Sequence, residues 1–322
     1  KYYLMAIENG NSDSMNNLGY YYEQQKDYEN MMKYYLVAIE NKNSNAMGNL
    51  GVYYRENGDY DNMMKYYLMA IENGNSLAMY NLGSYYKQQK DYENMMKYYL
   101  MAIENGNSLA MHNLGYYYKQ QKDYENMMKY LLMAIENKNS NAMGNLGVYY
   151  EENGDYDNMV KYYLMAIENG NSDSMNNLGY YYEQQKDYEN MMKYYLVAIE
   201  NKNSNAMGNL GVYYRENGDY DNMMKYYLMA IENGNSDSMN NLGYYYEQQE
   251  NYENMMKYYL MAIENENSFA MYNLGYYYEK QKNYENMKKY YLMAIENGNS
   301  DSMTNLGYYY EQQENYENMM KY

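Results

Sequence analysis

With 322 residues, a formal net charge of −18 and only two arginines, Arg55 and Arg215, the chain lacks the cationic surface that displaces counterions from phosphates, so nucleic acid is not an expected partner. No run nears the ~18 consecutive apolar residues of a membrane span. There is no cysteine and one histidine, His112, which argues against a Cys/His metal site, a Ser-His-Asp triad, a cofactor or an enzyme. The 47% hydrophobic content, carried largely by 58 tyrosines and 36 methionines, suffices for a continuous core.

The sequence returns on itself every 32 residues. Lys1, Lys33, Lys65 and each thirty-second residue to Lys321 open the same KY[YL]L[MV]AIEN string, giving ten copies plus Lys321 and Tyr322. Such a period denotes a solenoid, whose short units cannot bury their apolar faces without neighbours. Residues 1–322 are therefore read as one array. It begins and ends inside a predicted helix, without the polar capping repeats that finish such arrays, so a piece of a longer array is expected.

Each copy predicts two helices. Ser12 can cap helix A, from about Asp13 to Gln24, with Ser14, Met15, Leu18, Gly19, Tyr21 and Tyr22 on its apolar stripe. Asp27 can cap helix B, from Tyr28 to Glu40, with Tyr28, Met31, Met32, Tyr35, Ala38 and Ile39 facing the core. The short links force neighbouring helices antiparallel. Gly19 and its equivalents predict a close helix contact, because glycine costs ~1 kcal/mol relative to alanine in a helix. Glu29 four residues before Lys33 predicts a solvated ion pair, and the invariant Tyr34 position predicts an aromatic line on the convex side.

The order Met15, Leu18, Gly19, Tyr22, Tyr28, Met31, Tyr35, Ala38 resembles the tetratricopeptide pattern. The link Ala70-Ile-Glu-Asn-Gly-Asn-Ser-Leu-Ala-Met79 is closer to Sel1-like repeats, with a shortened A-to-B loop, and the Tyr-, Asn- and Met-rich composition is similar to Sel1-like arrays encoded by mimivirus-type giant viruses. The resemblance implies an all-α, right-handed α-solenoid of ten helix-turn-helix repeats whose A helices line a concave groove for protein recognition. It implies no cofactor, and an intracellular setting is favoured by the absence of N-x-[ST] sequons.

The copies differ most at Asp13, Asn16, Tyr20, Glu23 and their equivalents, which share the A-helix face opposite the buried stripe. Copies two, five and seven carry small residues there, such as Asn45, Gly48 and Val52. Copies three and four present Leu77, Tyr80, Leu109, His112 and Tyr116 beside Lys87 and Lys119; copy nine presents Phe269, Tyr272 and Tyr276. These apolar and aromatic groups are the candidate anchor for a protein or peptide partner. Asn17 and its equivalents, Asn81 and Asn113 among them, form a ladder of amides that can donate and accept toward an extended backbone. The alternative is self-assembly: residues 1–64 and 161–224 are identical, and near-identical units can stack head to tail into a filament.

Overall fold

The computed structural model describes residues 10–321; the first KYYLMAIEN string, residues 1–9, and Tyr322 lie outside them. Every regular element among the described residues is an α-helix, and they fall into two compact units, 1–170 and 171–322. The first unit holds α1 (Ser12–Gln24), α2 (Tyr28–Glu40), α3 (Ser44–Glu56), α4 (Tyr60–Glu72), α5 (Ser76–Gln88), α6 (Tyr92–Glu104), α7 (Ser108–Gln120), α8 (Tyr124–Glu136), α9 (Ser140–Glu152) and α10 (Tyr156–Glu168). The second holds α11 (Ser172–Gln184), α12 (Tyr188–Glu200), α13 (Ser204–Glu216), α14 (Tyr220–Glu232), α15 (Ser236–Gln248), α16 (Tyr252–Glu264), α17 (Ser268–Lys280), α18 (Tyr284–Glu296), α19 (Ser300–Gln312) and α20 (Tyr316–Met319). Odd-numbered helices are the A helices and even-numbered ones the B helices.

Three residues link each pair, and their chemistry explains why so few suffice. After α1, Lys26 turns into the left-handed region at φ 57°, and the Asp27 N–H reaches back to the Tyr22 carbonyl at 3.0 Å, satisfying a carbonyl the helix end would otherwise leave open. The Asp27 side chain then accepts from the Asn30 N–H at 3.2 Å and so starts α2. One residue closes one helix and opens the next. The expected cap at Asp27 stands; the cap expected at Ser12 belongs to Asn11, whose side chain accepts from the Ser14 N–H at 2.7 Å, with Ser12 already in the first turn.

Asparagine at this second cap does more than start a helix. The Asn43 Oδ1 accepts from the Ala46 N–H at 2.9 Å, while its Nδ2 donates to Asp13 Oδ1 of the preceding repeat at 2.8 Å. Asn75 spans the next seam, donating to the Ser44 carbonyl and to Asn45 Oδ1, each at 3.1 Å. Aspartate could perform the cap and not the staple. The A-to-B link needs no staple, and there aspartate in the earlier repeats gives way to Asn251, Asn283 and Asn315 in the last three.

The core is built across the seams. Met31, Tyr35 and Ala38 of α2 pack with Ala46 and Leu50 of α3 and with Tyr66 of α4. Gly19 is needed for the reason its sequence suggests: a Cβ there would stand 2.6 Å from the Tyr35 ring, and one on Gly51 would stand 2.4 Å from that of Tyr67. Tyrosines also stack along the seams within each unit, Tyr28 of one repeat leaning on Tyr53 of the next, then Tyr54, then Tyr66, with centroids 5.4–5.7 Å apart.

This packing corrects several expectations. Tyr28 is 49% exposed, since one edge covers the next repeat while the other stays in solvent; Tyr21 is 54% exposed, and its interior equivalents are half-buried. Among the described residues Tyr34 and its equivalents do not form an outward aromatic line, because each stacks on the tyrosine of its own A helix, as Tyr34 does on Tyr22 with rings 3° from parallel, and Tyr66 and Tyr98 are buried. Lys33, Lys65 and Lys97 lie over the ring of the following tyrosine at 5.5, 5.1 and 5.0 Å rather than pairing with the acidic residue four before. The flat tyrosine face next in sequence is a fixed, partly dry site for the ammonium, where an exposed carboxylate offers only a mobile, hydrated one.

Two paired substitutions test these constraints. Asn43→Asp keeps the cap but sets a carboxylate against Asp13, and it should cost about 1–3 kcal/mol, whereas Asp27→Asn should be neutral. Gly51→Ala should destabilise by about 1–3 kcal/mol through overpacking, despite the better helix propensity of alanine. Gly48→Ala, whose Cβ would find only Asn75 at 3.7 Å, should stabilise by up to about 1 kcal/mol. Because stability in an array is local, hydrogen exchange within residues 44–72 is the readout for the glycine pair and within 10–56 for the cap pair.

Candidate protein-interaction groove

Within each unit successive A helices approach one another, α1 on α3, α3 on α5 and α7 on α9 in the first, α11 on α13, α13 on α15 and α15 on α17 in the second; no successive B helices come as close. The A helices therefore occupy the inner side of each stack, and the variable positions lie on that side.

The structure brings most of the candidates of repeats three and four together, but leaves few of them free. Leu77 and Leu109 open α5 and α7 and remain 51% and 41% exposed. They are released from the duty Asp13 performs, because Asn107 and Asn139 donate instead to the Ser76 and Ser108 carbonyls at 3.3 and 3.2 Å. Tyr80 is half-buried and stacks on Tyr99 at 5.9 Å. The expected flanking cations are engaged: Lys87 lies 5.6 Å over the Tyr116 ring of the next repeat, and Lys119 pairs with Glu152 at 2.9 Å. Tyr116 keeps 41% of its surface.

The amide ladder is used mainly between repeats. Asn49 donates to Asn16 Oδ1 at 3.0 Å, and Asn209 to Asn176 at the same distance. In repeats three to five the ladder becomes a relay: Asn145 Nδ2 lies 2.8 Å from His112 Nε2, His112 Nδ1 lies 3.2 Å from Asn113 Oδ1, and Asn113 Nδ2 donates to the Tyr80 hydroxyl at 3.2 Å. An amide Nδ2 can only donate, so the His112 Nε2 is the acceptor and Nδ1 carries the proton. One repeat back Asn81 meets Gly48, which offers it no side chain, and its amide lies toward the Tyr67 hydroxyl at the edge of an open space. A hollow of about 280 Å³ lies there, lined by Asn16, Asn45, Gly48, Asn49, Val52 and Asn75 together with Leu77, Ala78 and Asn81.

The second unit repeats the pattern with different residues. A hollow of about 350 Å³ surrounds Gly208, lined by Asn209, Asn241 and Asp237 among others. Phe269 is 58% exposed; Tyr272 stacks on Tyr276 at 6.3 Å and accepts from Asn305 at 3.5 Å, and Lys280 caps the Tyr276 ring at 4.3 Å.

Sequence comparison matches the tetratricopeptide repeat model at residues 12–45, 44–73, 77–105, 109–141, 140–169, 172–205, 204–233, 236–269 and 270–297. The chain belongs to the tetratricopeptide repeat family. A comparison with curated protein sequences gives no match. Among solved structures, c5321, a protective antigen of uropathogenic Escherichia coli displaying an SLR fold, is similar over 97% of this chain and 74% of its own, at 22% identity and a TM-score of 0.57. A Sel1 repeat protein from Oxalobacter formigenes is similar over 69% of this chain and 99% of its own, at 23% identity and a TM-score of 0.58. Both likenesses concern the fold: a Sel1-like/tetratricopeptide α-solenoid, an architecture typical of protein-interaction scaffolds rather than enzymes. Among the described residues no helix is long and apolar enough to cross a membrane.

The hollows around Gly48 and Gly208 were legible in this repeat protein only as a group of small residues. Their meaning depends on the ladder amides, which reach back one repeat and find a side-chain partner at asparagine, histidine or tyrosine, whereas Gly48 and Gly208 offer no side chain to Asn81 and Asn241.

Burial pushes the His112 imidazole below its ordinary value, the bond to Asn113 opposes this, and the Lys87 charge adds to it. A protonated Nε2 cannot accept from Asn145. The unfolded chain takes up this proton near pH ~6.5 and the folded chain only below that. The contribution of His112 to stability is therefore complete above about pH 6.5 and is lost as pH falls toward the folded value. His112→Asn, the residue repeats one, six and eight carry there, should remove that part of the slope in urea melts between about pH 7 and 5.5; an unchanged slope would show that the imidazole does not titrate against folding.

Proposed function

We propose that the chain is a non-enzymatic scaffold that binds extended protein segments along its A-helix face, with the ten repeats acting as one array. The observation that supports this most directly is the pairing of exposed Leu77 with the amide-lined hollow at Gly48, followed one repeat on by exposed Leu109. Apolar side chains at the mouth of a polar hollow offer what an extended segment needs: an anchor for a side chain, and amides for its backbone. Burying one leucine is worth about 1.5–3 kcal/mol, so the pair can supply a large part of a micromolar affinity. The separate aromatic cluster at Phe269, Tyr272 and Tyr276 is a second anchor for the same kind of ligand. Partners are proteins or peptides, without nucleic acid or a membrane.

The test is peptide display on the native protein, followed by titration of the selected peptides. Leu77→Asp combined with Leu109→Asp should weaken their binding by about 100-fold or more while leaving helicity and thermal melting unchanged; unchanged binding would remove repeats three and four as the site. Electron microscopy over a concentration series separates the competing outcome. Discrete particles agree with a scaffold, and filaments with an axial repeat matching helix-pair stacking would make self-assembly the function.

A further inference from the structure

The B-helix tyrosine that lies on the A-helix glycine carries its hydroxyl through to the groove side. There Tyr35 donates to Glu23 at 2.7 Å, and the same bond recurs in four more repeats, among them Tyr163 to Glu151 at 2.6 Å and Tyr195 to Glu183 at 2.8 Å. A carboxylate oxygen is thus the regular partner of this buried hydroxyl.

Four repeats with a full described A–B pair lack the glutamate, and two of them compensate. In repeat three Lys87 goes to the Tyr116 ring and Ser84 meets the Tyr99 hydroxyl at 3.1 Å. In repeat four Lys119 pairs with Glu152, and the hydroxyl itself is gone, since Leu131 replaces the tyrosine. Repeats two and seven do neither. They carry Arg55 and Arg215, and the fully buried Tyr67 and Tyr227 hydroxyls have no acceptor; the Asn81 amide faces the Tyr67 oxygen only as a donor. The place that supplies Glu152 to Lys119, 33 residues on, holds the uncharged Gln88 opposite Arg55 and Gln248 opposite Arg215. Among the described residues neither arginine forms an ion pair or hydrogen bond. Gly48, Val52 and Arg55 are spaced i, i+4, i+7, which puts Arg55 on the same helix face as the hollow-lining Gly48 and Val52; Gly208, Val212 and Arg215 repeat this.

We infer that Arg55 with Tyr67, and Arg215 with Tyr227, each receive a carboxylate from a bound protein segment, which takes the place glutamate holds in the sister repeats. This rests on the groove reading and adds the chemistry of the ligand. As the guanidinium swings out to pair with the incoming group, the tyrosine hydroxyl gains the acceptor it lacks. The net charge of −18 does not forbid this, because carboxylates beyond about 8 Å are screened at physiological salt while the contact pair is not.

The probes are display-selected, fluorescein-labelled peptides of about nine residues, C-terminally amidated, each made with a central Glu and with Gln in its place, and read by fluorescence anisotropy. The Glu form should bind about tenfold or more tightly than the Gln form, and Arg55→Gln with Arg215→Gln should abolish that difference. Arg55→Glu with Arg215→Glu should also abolish it, and should raise the melting temperature by restoring the sister-repeat bond. Gln peptides with a free C-terminus distinguish a chain end from an acidic side chain as the source: tighter arginine-dependent binding of these alone keeps the carboxylate and assigns it to the terminus. Equal binding of all forms, or a Glu preference that survives loss of both arginines, overturns the inference. If binding is lost in the Leu77→Asp, Leu109→Asp protein yet never depends on a carboxylate, the groove stands and this inference falls. An arginine-dependent preference that ignores the leucines refutes only the placement at repeats three and four.

Discussion

The ring of Tyr67 lies where any side chain on Gly51 would have to be, and most of what distinguishes this repeat follows from that contact. A bare glycine lets the two helices of a hairpin close on a flat ring, so one large residue fills the space that smaller apolar residues would otherwise share. The same contact directs the phenol across the A helix and delivers its hydroxyl to the far face. Core and groove are therefore joined through one side chain: burial holds the ring, and whatever stands at the Glu23 position must answer the hydroxyl. In five described repeats glutamate does so, and burial together with that carboxylate keeps the phenols such as Tyr195 well above the ordinary tyrosine range. Tyr227, with Arg215 nearby in place of glutamate, is pushed up only to about 12, by burial and, to a lesser extent, the Glu216 charge, against the arginine charge.

The seams obey a second rule, set by what an amide can do and a carboxylate cannot. Asn43 accepts from its own helix and donates to the repeat before it, so capping and stacking are one act. Tyrosine stacks and the lysines over them reinforce each seam from the other side. Seams such as those at Asn43 and Asn75 thus combine a directional polar staple with a broad aromatic contact, the local arrangement that lets a solenoid grow by adding equal units.

Much of the fold was legible in the sequence because its signals were local. The 32-residue period, the bounds of the B helices and the Asp27 cap all depend on residues a few places apart. The cap at Asn11 was misassigned to Ser12 because both types cap well, and what favours asparagine at this position is the donor bond its equivalent Asn43 makes to a residue 30 places back. Tyr28, Tyr34 and Lys33 were misplaced for a shared reason: helical periodicity says which way a side chain leaves its own helix, not what the next repeat has placed there. The groove was legible as a set of varying positions. The internal duties of those positions were not, since Lys87, Lys119 and His112 are engaged by residues 29 to 33 places away.

Those duties change how variation among the copies is to be weighed. Position 13 meets the amide of the next cap, position 16 meets the ladder amide, and position 23 meets a buried hydroxyl, so none of the three drifts without consequence. Most substitutions are compensated: leucine at 77 by the Ser76 carbonyl, histidine at 112 by its second nitrogen, lysine at 119 by loss of the tyrosine at 131. Simple drift on a solvent face has no reason to produce such matched changes. At repeats two and seven the ladder amide of the following repeat has only glycine one repeat back and a buried phenol beside arginine lacks an acceptor, on the helix face that also carries the hollows at Gly48 and Gly208. A buried polar group without a partner costs about 1–3 kcal/mol. An array that answers this demand in some repeats and leaves it open in others has, in those others, a place where a second molecule can contribute what the chain omits.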